Sequence, residues 1–201
     1  GKQSVSIVNG LYVGQMLGTM ANAGVPRATF WLAYGSCDET GDYSKKLYGW
    51  QRFGSEALFS DGLPNPYEGC SSTPKIAGGT PFPTARVMGL MAADVPAGSQ
   101  ARGVSVSATS RNSVRAYGFA QGSGFTFAIF NNTLSPIAAQ ALVKGSSQKN
   151  YDATLAIYGK AQYDQSKQNK WVGPVQRSLG RVGPSVRLTL GPYSLSMLRL
   201  R

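Results

Sequence analysis

The chain has 201 residues, enough for one large domain or two small ones. Lys and Arg number 20 against 9 Asp and Glu, a net charge of +11, yet only 14% of residues are charged, so the excess is thinly scattered. A hydrophobic content of 42% excludes a disordered tail. His is absent, which removes Ser-His-Asp and Cys-His catalysis and every imidazole metal site.

Residues 4–22 contain no charge, and Val5, Val8, Leu11, Tyr12, Met16 and Met20 recur at helical spacing, which predicts a helix. Gly10, Gly14 and Gly18 form a small-residue edge at every fourth position. Such an edge suits a membrane dimer or close packing in a soluble fold. Asn9, Gln15, Thr19 and Asn22 would place amides and a hydroxyl in hydrocarbon, which favours the soluble reading and no membrane span. Gly24 is placed for a left-handed cap and Pro26 blocks continuation. Residues 28–34 are nearly all apolar and read as a strand buried on both faces, as in a parallel sheet covered by helices.

From 35 to 80 the composition turns to Gly, Ser, Asp, Pro and aromatics, a loop length that is usually functional. A short helix is expected near 46–58. Cys37 and Cys70 bracket this excursion. Two Cys without His make no zinc site, so they are a disulfide or two thiols, and the bracketing favours the disulfide. A bridge implies an oxidising setting, secreted or periplasmic. Pro83 suits the first turn of a helix over 83–93.

Beyond Asp94 everything reads as β. Short, often alternating runs at 104–108, 114–119, 125–130, 138–143, 153–158, 186–190 and 195–200 predict an antiparallel sandwich. One helix, one buried strand, a loop and another helix cannot make a domain alone. A parallel strand needs parallel neighbours, and none is evident in the sequence. The expected organisation is therefore an α/β fragment over 1–94 and an all-β sandwich over 95–201. The chain starts at Gly1 without Met or a visible signal peptide, which reads as a boundary made by cleavage or cloning.

The order of certain motifs then matters: Leu11-Tyr12-Val13, Gly24-Val25-Pro26-Arg27-Ala28-Thr29-Phe30-Trp31, Tyr48-Gly49-Trp50-Gln51-Arg52-Phe53-Gly54, Phe59-Ser60-Asp61-Gly62, Pro83-Thr84-Ala85 and the closing Gly191-Pro192-Tyr193-Ser194-Leu195. Together they resemble the C-terminal part of clan A retaining glycoside hydrolases of the α-L-arabinofuranosidase and β-xylosidase type. The resemblance implies the last βα unit of a (β/α)8 barrel, with its long loop, followed by a β-sandwich. It also implies that the acid/base and nucleophile glutamates precede Gly1, so no catalytic residue is expected in this chain. An upstream polypeptide would complete the barrel.

Retaining hydrolysis needs two carboxyl groups about 5–5.5 Å apart. Asp38, Glu39 and Asp42 follow the predicted strand, where barrel active sites gather, but adjacent loop acids read as solvated or calcium-leaning rather than as a dyad. Aromatic rings suit the C–H faces of sugars while hydroxyls seek carboxylates. Trp31, Tyr34, Asp38, Glu39 and Trp50 are thus the candidate substrate contacts, with a poly- or oligosaccharide as partner. The competing role for the loop rings, Phe53 and Phe59 above all, is a mini-core. Asn131-Asn132-Thr133 is a glycosylation sequon that also suits turn geometry, and Trp171 is expected to cover one end of the sandwich. No cofactor or metal is indicated.

A non-catalytic carbohydrate-binding sandwich is the alternative function. Nucleic-acid binding is disfavoured because no basic run exceeds two residues.

Overall fold

The computed structural model describes residues 5–37, 57–70, 76–107 and 112–201. Two helices, α1 (Ile7–Asn22) and α2 (Pro83–Asp94), lie on one face of a six-stranded antiparallel sheet. In spatial order that sheet comprises β3 (Gln100–Arg102), β4 (Val114–Gln121), β5 (Gly124–Asn131), β10 (Ser194–Leu200), β7 (Tyr151–Gly159) and β8 (Val175–Val182). The other face packs on a two-stranded sheet of β6 (Ile137–Leu142) and β9 (Ser185–Leu190). A parallel pair of two residues each, β1 (Tyr34–Gly35) and β2 (Phe59–Ser60), stands apart. A four-residue helix, α3 (Lys160–Tyr163), follows β7.

β10 is the centre. Its Leu195 and Met197 join the helix-side core with Leu11, Val87, Tyr117 and Phe130. Its Leu198 and Leu200 join the opposite core with Leu155, Leu188 and Leu190. Alternation along a seven-residue strand thus feeds two cores at once.

α1 starts at Ser6, whose hydroxyl accepts from the Asn9 amide at 3.1 Å. It ends as expected at Gly24, with φ of 73°, the Gly24 amide bonding Ala21 and the Val25 amide bonding Met20. The buried face, however, is not the large apolar one. Ile7, Gly10, Leu11, Val13, Gly14 and Gly18 are buried, while Val8 and Tyr12 are exposed. The glycine edge decides the face because it permits the closer approach. A Cβ on Gly10 would sit 2.8 Å from the Pro83 carbonyl carbon, and one on Gly14 would lie 2.5 Å from Val87 Cγ1. One on Gly18 would lie 2.5 Å from the Tyr117 ring.

The polar residues that argued against a membrane span make the docking bonds. Asn9 Nδ2 donates to Thr84 Oγ1 at 3.0 Å. Gln15 and Asn132 exchange amide bonds at 3.1 Å each, and Thr19 Oγ1 meets the Tyr117 hydroxyl at 2.9 Å. Among the described residues, no helix is long and apolar enough to cross a membrane.

Several strand expectations change. Residues 104–107 form no strand; the neighbouring pairing falls at β3 instead. β8 was not foreseen, because its sequence VQRSLGRV is mostly exposed and does not alternate. The run 28–34, expected to be a strand buried on both faces, is almost wholly exposed, and its backbone bonds to the β2 segment begin only at Leu32. Its apolar residues have no layer over them within the described residues. The expectation that the chain supplies no parallel neighbour is also corrected, since β2 provides a short one. The expected helix over 46–58 lies outside the described residues, apart from Ala57 and Leu58, which are not helical.

At the C-terminus of α2, Arg199 Nη1 donates to Asp94 Oδ1 at 3.0 Å, and Thr126 Oγ1 donates to the Asp94 carbonyl. Burial raises the Asp94 carboxyl above its ordinary value, against the opposing attraction of Arg199 and Arg201.

Two measurements check this packing. Gly10→Ala should lower stability by about 1–3 kcal/mol in urea unfolding, despite the better helix propensity of Ala. Gly89→Ala, in α2 with open space around its Cβ, should raise it by about 0.5–1 kcal/mol. Asp94 also sets a pH signature. The unfolded carboxyl titrates near pH 4, while the folded one keeps its proton to higher pH. Between those two values the native state binds more protons, so this contribution to stability is lost as pH rises. Unfolding of the wild type and Asp94→Asn across pH 3–8 should show that fall in the wild type alone.

Candidate functional site

β1 and β2 build a small platform. The Leu58 amide donates to the Leu32 carbonyl at 3.0 Å, Phe59 to Ala33 at 2.9 Å and Asp61 to Gly35 at 3.1 Å. On its other side β2 is held by Ser60 N to Thr80 O, Gly79 N to Ser60 O and Phe82 N to Leu58 O. Buried Ser60 adds a side-chain bond to the Ile76 carbonyl and accepts from the Gly62 amide. Every one of these bonds holds the β2 segment, which makes β1 the open margin of the platform among the described residues.

Past β1 the chain is pinned twice. Asn65 Nδ2 donates to Ser36 Oγ at 3.0 Å, and Cys37 is bridged to Cys70 with a Cα–Cα distance of 6.0 Å. The Asn65 and Cys70 backbones exchange both hydrogen bonds, closing a turn of one 3-10 helical step, Pro66–Glu68. Tyr67 caps that turn and is 96% exposed. Beneath lies a third core of Val5, Cys37, Ala57, Cys70, Ile76 and Phe82. Trp171 closes it, edge to face with Phe82 at 5.8 Å, and its carbonyl accepts from Arg86 Nη2 at 3.0 Å. Trp171 therefore covers the disulfide cluster, not the end of the sandwich. Nothing in its polar sequence surroundings signalled that partner.

Of the candidate contacts, Trp31 is 77% exposed and Tyr34 56% exposed. The Tyr34 ring lies 5.5 Å from that of Phe59 at a tilt of 32°, so Phe59 supports an exposed ring from below. The Trp31–Leu32 peptide is cis. Asp38, Glu39 and Trp50 lie outside the described residues, as do Asp42, Tyr43, Tyr48 and Phe53. The described region brings Trp31, Tyr34 and the disulfide Cys37–Cys70 to one margin of the molecule, and adds Tyr67 through the bridge.

Three of the described carboxylates have structural work: Asp61 accepts from the Leu63 amide at 2.9 Å, Asp94 binds Arg199, and Asp164 pairs with Lys160. Asp152 stands opposite Arg181 in the β7–β8 ladder. The sequon residue Asn131 is fully buried, its Nδ2 donating to the Ser135 and Gly191 carbonyls at 2.8 Å. Its role is turn geometry.

The bridge spans 33 residues of sequence. Reducing it, or replacing Cys37 and Cys70 by Ala, should lower stability by about 2–4 kcal/mol in urea unfolding. Thiol titration of the denatured protein should find two free thiols only after reduction. Equal midpoints for the bridged and reduced forms would show that the bridge restrains nothing.

No protein-family model matches the chain, and no curated protein matches it. Solved structures do. The catalytic domain of GH30 xylanase C from Talaromyces cellulolyticus aligns with 96% of this chain and 35% of its own, at 13% identity and a TM-score of 0.58. A GH30 endoxylanase from Clostridium papyrosolvens aligns over 63% of this chain and 30% of its own, at 12% identity and a TM-score of 0.47. The chain spans about a third of the length of these xylanases. The first alignment establishes a glycoside hydrolase-like fold for nearly the whole chain.

Proposed function

We propose that the chain is the C-terminal portion of a secreted glycoside hydrolase that acts on poly- or oligosaccharide by the retaining two-carboxylate mechanism. Residues 1–94 are the terminal portion of its barrel and residues 95–201 its sandwich. The supporting observation is that 96% of the chain follows about a third of a xylanase catalytic domain. The open margin of β1 agrees with it. Residues 25–34 include exposed Val25, Trp31, Leu32 and Tyr34, apolar groups that a further strand and helix layer would cover. The disulfide suits an oxidising location.

In this reading the two catalytic glutamates belong to an upstream polypeptide, and this chain supplies one wall of the cleft. Trp31 and Tyr34 offer apolar ring faces to a sugar, and Asp38, Glu39 and Trp50 are the further substrate contacts of this reading. The bridge between Cys37 and Cys70 anchors both ends of the segment it closes, which lowers the cost of ordering it on binding. The nucleophile attacks the anomeric carbon as the acid protonates the leaving oxygen. Water then releases the glycosyl-enzyme with the same group acting as base.

The test is covalent labelling of the parent polypeptide with a 2-deoxy-2-fluoro glycosyl inactivator, followed by peptide mapping. The expected label falls on a Glu outside residues 1–201. Trp31→Ala in the parent should lower kcat/KM about tenfold, the loss of one ring contact. Hydrolysis by residues 1–201 alone, or a label on Glu39, Glu56 or Glu68, would contradict the proposal. Saccharide binding that survives removal of everything before Asp94, without hydrolysis by the parent, would instead establish a non-catalytic binding sandwich.

A further inference from the structure

The six-stranded sheet is covered unequally. Among the described residues, α1 and α2 lie on one face, and only β6 and β9 roof the other. Strands in a sheet are about 4.8 Å apart, so two strands cannot span six. Between β8 and the β6–β9 pair an open cleft of about 550 Å³ remains, within the range of ligand sites. Its lining includes Leu179, Ala139 and Leu188, all part of the adjoining core, so the cleft opens onto the sandwich interior. Arg177, Arg187 and Gln140 stand exposed around it, and among the described residues no carboxylate or aromatic ring lines it.

Strand edges face this region. β8 is the last strand of its sheet, and β6 and β9 pair only with each other among the described residues. The β7–β8 register passes from Ala153 opposite Gly180 to Thr154 opposite Ser178, which makes Leu179 the extra residue of a bulge. Gly180, at φ of 69°, permits that turn of the backbone. Without a ring in the lining, neither a nucleobase nor a sugar face has a stacking platform. A second copy of the chain would bring arginines against arginines at a net charge of +11.

We propose that this cleft binds an extended acidic peptide strand. The strand hydrogen-bonds through its backbone to a free strand edge, seats alternate apolar side chains on Ala139, Leu179 and Leu188, and directs its carboxylates to Arg177 and Arg187. This goes beyond the hydrolase reading and does not depend on it, since the cleft lies on the opposite face of the sheet from the helices.

The probe is a blocked six-residue peptide alternating Val and Glu, titrated into the intact chain at low salt. Backbone amide shifts and hydrogen exchange provide the readout. Saturable binding is expected, with slowed exchange confined to β8 and the β6–β9 pair. The exposed double variant Arg177→Glu/Arg187→Glu, with its fold checked by circular dichroism, should bind at least tenfold more weakly. It should gain affinity for the matching Val-Lys peptide. Equal affinity of the wild type for both peptides, undiminished binding by the variant, or no change at these strands would overturn the proposal. So would binding of oligogalacturonate where the peptide fails, or self-association through the cleft.

Discussion

The structure depends on how closely α1 approaches its neighbours. Gly10, Gly14 and Gly18 present a helix face without side chains to Pro83, Val87, Phe130 and Tyr117. A single methyl at Gly10 would meet backbone, which cannot rotate away as a side-chain tip can. That approach joins α1, α2 and the β-sheet in one core. The amide pair of Gln15 with Asn132 and the Thr19–Tyr117 bond then fix the sliding position of the helix. Close packing sets the distance, and polar contacts set the register.

Everything at the candidate site hangs from this arrangement. α1 delivers the chain through its glycine cap into residues 25–35, and α2 begins three residues after Thr80, which holds β2. The disulfide, the Asn65–Cys70 turn and the Phe82–Trp171 contact fasten Cys37, residues 65–70 and Trp171 to the same body. Tyr34 and Tyr67 are therefore displayed from an anchored base. An apolar run that stays exposed beside such a base conflicts with the consistency expected of a finished sheet. The proposed barrel resolves that conflict.

Much of the fold was legible from local patterns. Helix limits followed from Gly24 and Pro83, and six of the seven expected runs from 104 to 200 became strands because alternation and turn residues agreed. What failed depends on tertiary context. The glycine edge of α1 was legible as a close-packing face, but the exposure of Val8 and Tyr12 was not, because both weigh more than glycine in any hydrophobic pattern. β8 was missed because an exposed edge strand with a bulge has no period. At the site, the bridging of Cys37 and Cys70 was legible from their positions around the excursion. The link from Trp171 to Phe82, about ninety residues apart in the sequence, left no local signal.

The central claim is a single packed body of helices and sheet with an open strand margin at residues 27–33. Amide hydrogen exchange on the isolated chain tests it most directly. The account predicts that the slowest amides of α1 and β10 exchange with the same free energy, set by one cooperative unfolding, while residues 27–33 exchange nearly unprotected. Protection of 27–33 equal to that of β10, or loss of α1 protection well below that of the sheet, would contradict it.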